Sequence, residues 1–350
     1  MTETREPLQH NSGNEATGGI WRVTGDDGRS RILKIASPPG ARELPAGSAW
    51  RTSDTPTHFN YWRREVLAYE TGFADAVYRD AGIRAPRLES LTYRDDGSVE
   101  LWLEDVAGPN GFAFPVARLG RFGYELGVGQ ARWAGRVPSA YEVPWLSRDW
   151  LRQYLTEGPG NNVRIADADW DDPIAQVWPE QVRRKLRGLW EGRPQALEAV
   201  EQLPRTVCHL DCWPNNLIED ADGTSVLLDW PFVGEGAVGE DPANLIIDSV
   251  TDGLLDVALL PEIADAVTEG YIKGLGDGGW RASADDVRRA IAVCAVTKYS
   301  WLGAHAIGTA IRGRERRPSY NQDDSAAETL KRITGLMTLI ADWADELARD

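Results

Sequence analysis

Cysteine and lysine are scarce in this 350-residue chain, and long apolar runs are missing. The three cysteines, Cys208, Cys212 and Cys294, do not build a disulfide framework; they fit a reducing compartment as packed free thiols. Cys208 and Cys212 lie close together, but no second cysteine pair or histidine cluster completes a zinc site. Stretches such as Ala290–Thr297 are far shorter than the roughly 20 apolar residues that span a bilayer. Met1–Asn11 is polar and lacks the basic-then-apolar order of a secretory signal. Basic residues are outnumbered, giving a formal net charge of −16, which repels nucleic acid and anionic membranes. These absences point to a soluble, cytoplasmic protein with neither nucleic acid nor membrane as partner. What remains is ordinary apolar content, abundant tryptophan, and length enough for one large domain or two lobes.

The polar start, residues 1–17, reads as a flexible arm ending in Asn-Ser-Gly-Asn. Ile20–Val23 and Ser30–Ile35 read as strands joined by the turn Gly25-Asp-Asp-Gly28. Pro38–Pro56 is a loop rich in proline, glycine and serine. His58–Gly72 is expected as a helix, with Trp62, Val66 and Tyr69 on one face. Leu88–Tyr93 and Val99–Val106 form a second hairpin through Arg94-Asp-Asp-Gly97. Ala107–Gly111 is dense in helix breakers and reads as a hinge. Beyond it, Ala284–Arg312 and Thr329–Ala348 carry apolar stripes at helical spacing, which are core faces. The expected class is α+β: an arm (1–17), a small β-rich lobe (18–106), a hinge (107–111) and a larger α-helical lobe (112–350), with a nucleotide-sized cleft between the lobes.

The chemistry concentrates in Val207–Ile218 and Val226–Trp230. An Asp (Asp211) stands two residues after a His (His209), an Asn (Asn216) seven after it, and Asp229 ends a short apolar run. Phosphoryl transfer from ATP needs a carboxylate to receive the acceptor hydroxyl and oxygen ligands to hold magnesium against the phosphates. Asp211 is the candidate base. His209 is the second candidate in that loop, better suited to bracing it through hydrogen bonds than to chemistry. Asn216 and Asp229 offer the oxygen ligands magnesium prefers. Lys34 lies in an apolar strand, where an ammonium is expensive without a partner. The plain alternative is a lysine snorkelling to water at a strand edge.

The joint pattern resembles the catalytic and metal-binding loops of the aminoglycoside phosphotransferase family, which has a bilobal protein-kinase-like fold. The resemblance implies an enzyme using ATP (or GTP) and Mg²⁺. It implies that Lys34 holds the α- and β-phosphates, paired with a helix glutamate. Glu65, in Trp62-Arg-Arg-Glu-Val-Leu67, matches the family's Arg-Arg-Glu-aliphatic helix; Glu70 is its rival. Leu103–Gly108 resembles the adenine-binding linker, with backbone contacts near Glu104 and Val106. Gly239–Ala243 looks like the family's lead into its next helix. The phosphate-covering loop departs from the kinase pattern: Ser12–Trp21 lacks Gly-x-Gly-x-x-Gly, so its contacts stay unassigned.

The implied acceptor is a hydroxyl-bearing small molecule, foremost an antibiotic of aminoglycoside or nucleoside type. Acidic residues at Asp167–Asp172, Glu235–Asp241 and Asp323–Asp324 are candidate ammonium binders, and Trp213, Trp230 and Trp301 candidate ring-stacking walls; solvated loops and core packing are the plain alternatives. The Arg312–Arg317 cluster, if it reaches the cleft, speaks against a purely cationic substrate. Rival functions are a metabolic kinase for choline, homoserine, a sugar or a nucleoside, and a catalytically dead binding module. A protein kinase is disfavoured because no Ala-Pro-Glu closes an activation loop.

Overall fold

The structure, a computed structural model, describes residues 3–44, 48–313 and 325–348. Asp323–Asp324 and most of the Arg312–Arg317 cluster fall outside the described residues.

The smaller lobe is built on one antiparallel sheet. It holds β1 (Thr4–Pro7), β2 (Thr17–Thr24), β3 (Ser30–Ala36), α1 (Arg64–Glu70), α2 (Phe73–Ala76), β4 (Ile83–Arg84), β5 (Leu88–Tyr93) and β6 (Val99–Glu104). The sheet order is β1-β2-β3-β6-β5. Strand β6 alternates as a half-buried strand should: Val99, Leu101 and Leu103 face the core, Glu100, Trp102 and Glu104 the other side. The expected strands are present, two of them extended by a residue or more, and Val99–Val106 shortened to Glu104.

Two expectations fail here. The arm expected at 1–17 is not free chain, since Thr4–Pro7 pairs with Trp21–Thr24 as an edge strand. All four of its residues are exposed, so backbone pairing holds it and no hydrophobic alternation announces it. The helix expected over His58–Gly72 begins only at Arg64. The buried Arg64 guanidinium donates to the carbonyls of Pro56, His58 and Phe59 at 2.7–2.9 Å. Those oxygens are therefore taken by a side chain instead of by a helical ladder. The same guanidinium reaches the carbonyls of Trp145 and Pro231, pinning α1 to the other lobe.

The larger lobe continues with α3 (Val116–Ala131), α4 (Trp150–Thr156), α5 (Glu180–Glu191), α6 (Arg193–Glu201), β7 (Arg205–Cys208), β8 (Leu217–Glu219), β9 (Ser225–Leu227), β10 (Gly234–Ala237), α7 (Glu240–Thr251), α8 (Leu260–Asp277), α9 (Ala284–Lys298), α10 (Leu302–Ile311), α11 (Ala326–Arg332) and α12 (Thr334–Trp343). Helices α3 and α8 approach so closely that a Cβ on Gly127 would lie 2.4 Å from the Tyr271 carbonyl oxygen. The lobes are joined by a parallel pairing of β4 with Ser225–Val226 of β9. None of the described helices is long and apolar enough to cross a membrane.

The stripes at Val287, Ile291, Cys294, Ala295 and Leu302, and at Leu330, Ile333, Met337 and Ile340, are buried as expected. The single helix expected over Ala284–Arg312 is broken at Tyr299–Trp301. There Ser300 Oγ donates to the Thr297 carbonyl at 2.8 Å, and Tyr299 turns its hydroxyl to Asp248 at 2.7 Å. Side chains bound for the cleft thus interrupt the ladder.

Candidate active site

Lys34 sits on β3 between β2 and β6, opposite Ile20 and Leu101. Its ammonium meets Glu65 Oε2 of α1 at 2.6 Å and also contacts Asp229 Oδ1. Burial alone would strip its proton. The charges of Asp229 and Glu65 outweigh that and hold the pKa above the ordinary lysine range. Burial pushes the Glu65 carboxyl upward, with Lys34 opposing. Glu65 also accepts from the Trp230 N–H at 3.3 Å. Glu70, the rival, is exposed and takes the Tyr93 hydroxyl.

Below this triad lies the loop after β7. Asn216 donates its amide to the Asp211 carboxylate (3.0 Å) and to the Asp211 carbonyl (2.9 Å). That leaves the amide oxygen of Asn216 for a cation. The Leu228 N–H donates to the Asn216 carbonyl at 2.8 Å, so the Asn216 loop and the chain entering Asp229 are tied. Burial, then the charge of Asp229, raises the Asp211 pKa to about 7, against the opposing pull of Lys298. Leu210 and Asp229 carry φ of 69° and 62°, a left-handed geometry that costs on the order of 1–3 kcal/mol in a side-chain-bearing residue. Strain of this kind persists only where the surroundings enforce it.

What enforces it at Leu210 is Asp241. This buried carboxylate, in the first turn of α7, accepts the N–H groups of His209 (2.7 Å) and Leu210 (2.8 Å) and the Gln130 amide (2.7 Å). The Gly239–Ala243 segment is therefore a brace for the base loop, a role its sequence left unassigned. His209 itself does not reach the cleft. It is fully buried, its ring packs edge-on against Trp230 with centroids 4.7 Å apart, and its ring nitrogens face the backbone of Leu228 and Asp211. Burial pushes its pKa down to about 4. The loop is braced by hydrogen bonding at His209, as expected, through its backbone N–H to Asp241.

One cavity of about 590 Å³ collects Lys34, Glu65, Asp211, Asn216 and Asp229. Glu104 and Val106 line it as well, at the junction of the lobes. Leu8–Asn11, Asn14 and Thr17 line its upper side. The β1–β2 loop thus covers the cleft where the sequence offered only Ser12–Trp21. Asn216 and Asp229 fit magnesium, which takes one or two protein oxygens and completes its shell with phosphate and water. Among the described residues no three His, Cys, Asp or Glu side chains form a metal cluster.

The far end of the cavity differs from expectation. Glu235 pairs with Arg148 and Arg205, Glu240 and Asp241 are buried, and Asp167–Asp172 lies away from the cavity lining. Trp213 and Trp301 line the cavity, but Trp230 is core. The lining at this end includes Trp50, Trp150, Tyr154 and Phe232, a mutually packed ring cluster, with Asp248 and Lys298 beside them. Sequence reading missed Lys298, although the argument applied to Lys34 fits it equally: a rare lysine closing an apolar stripe.

Residues 8–284 match the model of the Phosphotransferase enzyme family. The chain belongs to this family. No curated protein matches it. Among solved structures, an aminoglycoside phosphotransferase from Alicyclobacillus acidocaldarius is 15% identical, covering 99% of this chain and 97% of its own, with a TM-score of 0.50. An aminoglycoside phosphotransferase from Streptomyces rimosus, in complex with ADP and streptomycin, is 16% identical over 84% of this chain and 92% of its own, at a TM-score of 0.45. An ethanolamine kinase from Plasmodium vivax is 10% identical over 95% and 81%, at 0.49. The chain is a small-molecule phosphotransferase, α+β in class, with the kinase-like fold expected from its motifs.

Proposed function

We propose that this phosphotransferase moves the γ-phosphate of ATP, with Mg²⁺, to a hydroxyl of a small molecule. One observation carries the proposal: a buried ammonium paired with a helix glutamate, and a half-buried carboxylate held by an asparagine, line one cavity from opposite lobes. In this reading Lys34, oriented by Glu65, binds the α- and β-phosphates, and backbone near Glu104 and Val106 receives the adenine. The Asn216 amide oxygen and the Asp229 carboxylate hold magnesium, which neutralises phosphate charge. Asp211 orients the acceptor hydroxyl and takes its proton late in the transfer. His209 is a packing residue. Asp229 contacts Lys34 directly; engaging a cation would draw that carboxylate away and free the ammonium for phosphate.

For the acceptor we propose an antibiotic hydroxyl, on the resemblance of the motifs. Asp167–Asp172 lies off the cavity lining and aromatic rings line its far end, with Asp248 and Asp252 as the acidic groups there, which favours a ring-bearing acceptor carrying few cationic groups. Incubation with Mg-ATP and a panel of antibiotics and metabolites, read by mass spectrometry, tests both levels. A product heavier by one phosphate on an antibiotic supports the whole proposal. Phosphorylation of choline, homoserine or a sugar alone replaces the acceptor and keeps the chemistry. Absence of Mg-dependent nucleotide binding by calorimetry removes the chemistry.

A further inference from the structure

Lys298 closes α9 and is buried at the acceptor end of the cavity. Its ammonium donates to Asn244 Oδ1 at 2.6 Å and to the Leu210 carbonyl at 3.3 Å. It lies 4.9 Å from the ring centroid of Trp150. Its hydrogen-bond partners are thus neutral oxygens, unlike those of Lys34. The carboxylates of Asp211, Asp241 and Asp248 lie near enough to feel its charge and offset its burial, while the two neutral oxygens fix where the ammonium sits.

The Leu210 carbonyl belongs to the peptide plane that carries the Asp211 nitrogen. Peptide planes are rigid, so holding that oxygen sets where the Asp211 side chain starts. The N–H of the same Leu210 is held from the other side by Asp241. One residue in a strained left-handed geometry is therefore clamped at both ends, by an acid in front and a lysine behind. Asn244 anchors the lysine. It also donates to Tyr299 Oη at 3.0 Å and to Asp248, so α7, α9 and the base loop share one polar network.

We propose that Lys298 is a positioning residue for phosphoryl transfer, clamping the Leu210 carbonyl so that Asp211 is aimed at the acceptor. This rests on the transfer reading above. Groups facing Lys298 from the surrounding elements are Asp211 on the base loop, Asp241, Asn244 and Asp248 on α7, Trp150 on α4 and Tyr299 beyond α9. Asn244 is the α7 group that touches the ammonium, while Asp248 is reached through Asn244 and Tyr299.

The test uses the full chain and Mg-ATP hydrolysis, with water as acceptor. Lys298→Met is expected to lower kcat by about 10²-fold, the loss that follows from misplacing a reacting group by about 1 Å. KM for ATP should stay within about twofold, because Lys298 touches none of the groups proposed to bind the nucleotide or its cation. Lys298→Arg, which keeps a charge and donors, should recover most of the loss. In an Asp211→Asn background, Lys298→Met should cost almost nothing further, since both act through one carboxylate. Wild-type kcat in Lys298→Met, or full additivity with Asp211→Asn, overturns the proposal. If Lys298→Met does not fold, Asn244→Ala releases the anchor while leaving the lysine, and the same kcat loss at constant KM is expected; an unchanged kcat overturns it. A wild-type chain that neither hydrolyses Mg-ATP nor binds it by calorimetry would instead bring down the transfer reading itself.

Discussion

Two loops reach the same cleft from opposite lobes and are held in opposite ways. The lower loop, Cys208–Asn216, is clamped on both sides of Leu210 by one buried carboxylate and one buried ammonium, and its functional groups lie within eight residues of each other. The upper loop, Leu8–Ala16, contains only short local turns, such as Gly13 N–H to Asn11 Oδ1 at 3.0 Å and Ala16 N–H to Asn14 Oδ1 at 3.1 Å. It is held by side chains from distant chain: Asn60 donates to Asn14 Oδ1 at 2.9 Å, Ser48 to the Gly13 carbonyl at 2.8 Å, and Glu15 accepts from the N–H groups of Gly40 and Thr52. The contrast teaches where each loop's function should fail. Damage to the lower loop should appear in turnover, and damage to the upper loop in nucleotide affinity.

The largest effect is expected at Asp229, which touches both lobes through Lys34. Asp229→Ala should abolish Mg-dependent ATP binding and turnover together, read by calorimetry and by product formation. Undiminished metal affinity would mean that the cation is held elsewhere. Next is Asp211→Ala, which should keep nucleotide binding and lower kcat by roughly 10²-fold or more, the usual worth of a positioned base. Equal losses in ATP affinity would blur the division between the loops.

The pH profile sharpens the same comparison. Burial and the charge of Asp229 raise the Asp211 pKa to about 7, and only the ionised carboxylate accepts a proton. Turnover should therefore fall as pH drops below about 7, by up to tenfold per unit, while KM for ATP stays level. A cation on Asp229 weakens the carboxylate–carboxylate repulsion and moves this acid limb downward, so the limb should shift with magnesium concentration. An acid limb near 4 at low magnesium would show that burial does not govern this group.

These differences in construction also explain what could be read in advance. His-x-Asp, the Asn and the closing Leu-Leu-Asp are one short stretch of chain, so their convergence is nearly local and the spacing alone announces it. Lys34 needed only a strand and Glu65 a helix, both marked by apolar periodicity, while the choice of Glu65 over Glu70 came from the family resemblance of its Arg-Arg-Glu-aliphatic run. The upper loop had no such marks. Thr4–Pro7 is wholly exposed, and its pairing with β2 leaves no hydrophobic pattern. The late start of α1 was equally hidden, because it depends on carbonyls captured by Arg64, and no propensity records a tertiary hydrogen bond. Asp241 and Lys298 act on backbone atoms of Leu210, whose own side chain says nothing about who holds it.

The smallest effect, and the most direct attempt to break the comparison, concerns Asn60. Its buried amide donates to Asn14 Oδ1, to the Trp50 carbonyl at 3.0 Å and to the Arg51 carbonyl at 3.3 Å. Asn14 in turn accepts the Ala16 N–H at 3.1 Å. Asn60→Ala leaves several buried acceptors short of donors, a cost of about 1–3 kcal/mol for each group left unsatisfied. Because these contacts tie the upper loop to the Trp50–Arg51 backbone that also holds Glu15, KM for ATP should rise by a few-fold, on the order of 1 kcal/mol of lost binding, with kcat unchanged. Amide exchange at Ala16 should quicken in the same variant. Asn60→Asp separates hydrogen bonding from size: its carboxylate has the same shape but no N–H to give and faces three acceptor oxygens, so it should raise KM at least as much as alanine. A fall in kcat with constant KM would mean that the two loops work as one unit, and that the upper loop helps aim the transfer as well as holding the nucleotide.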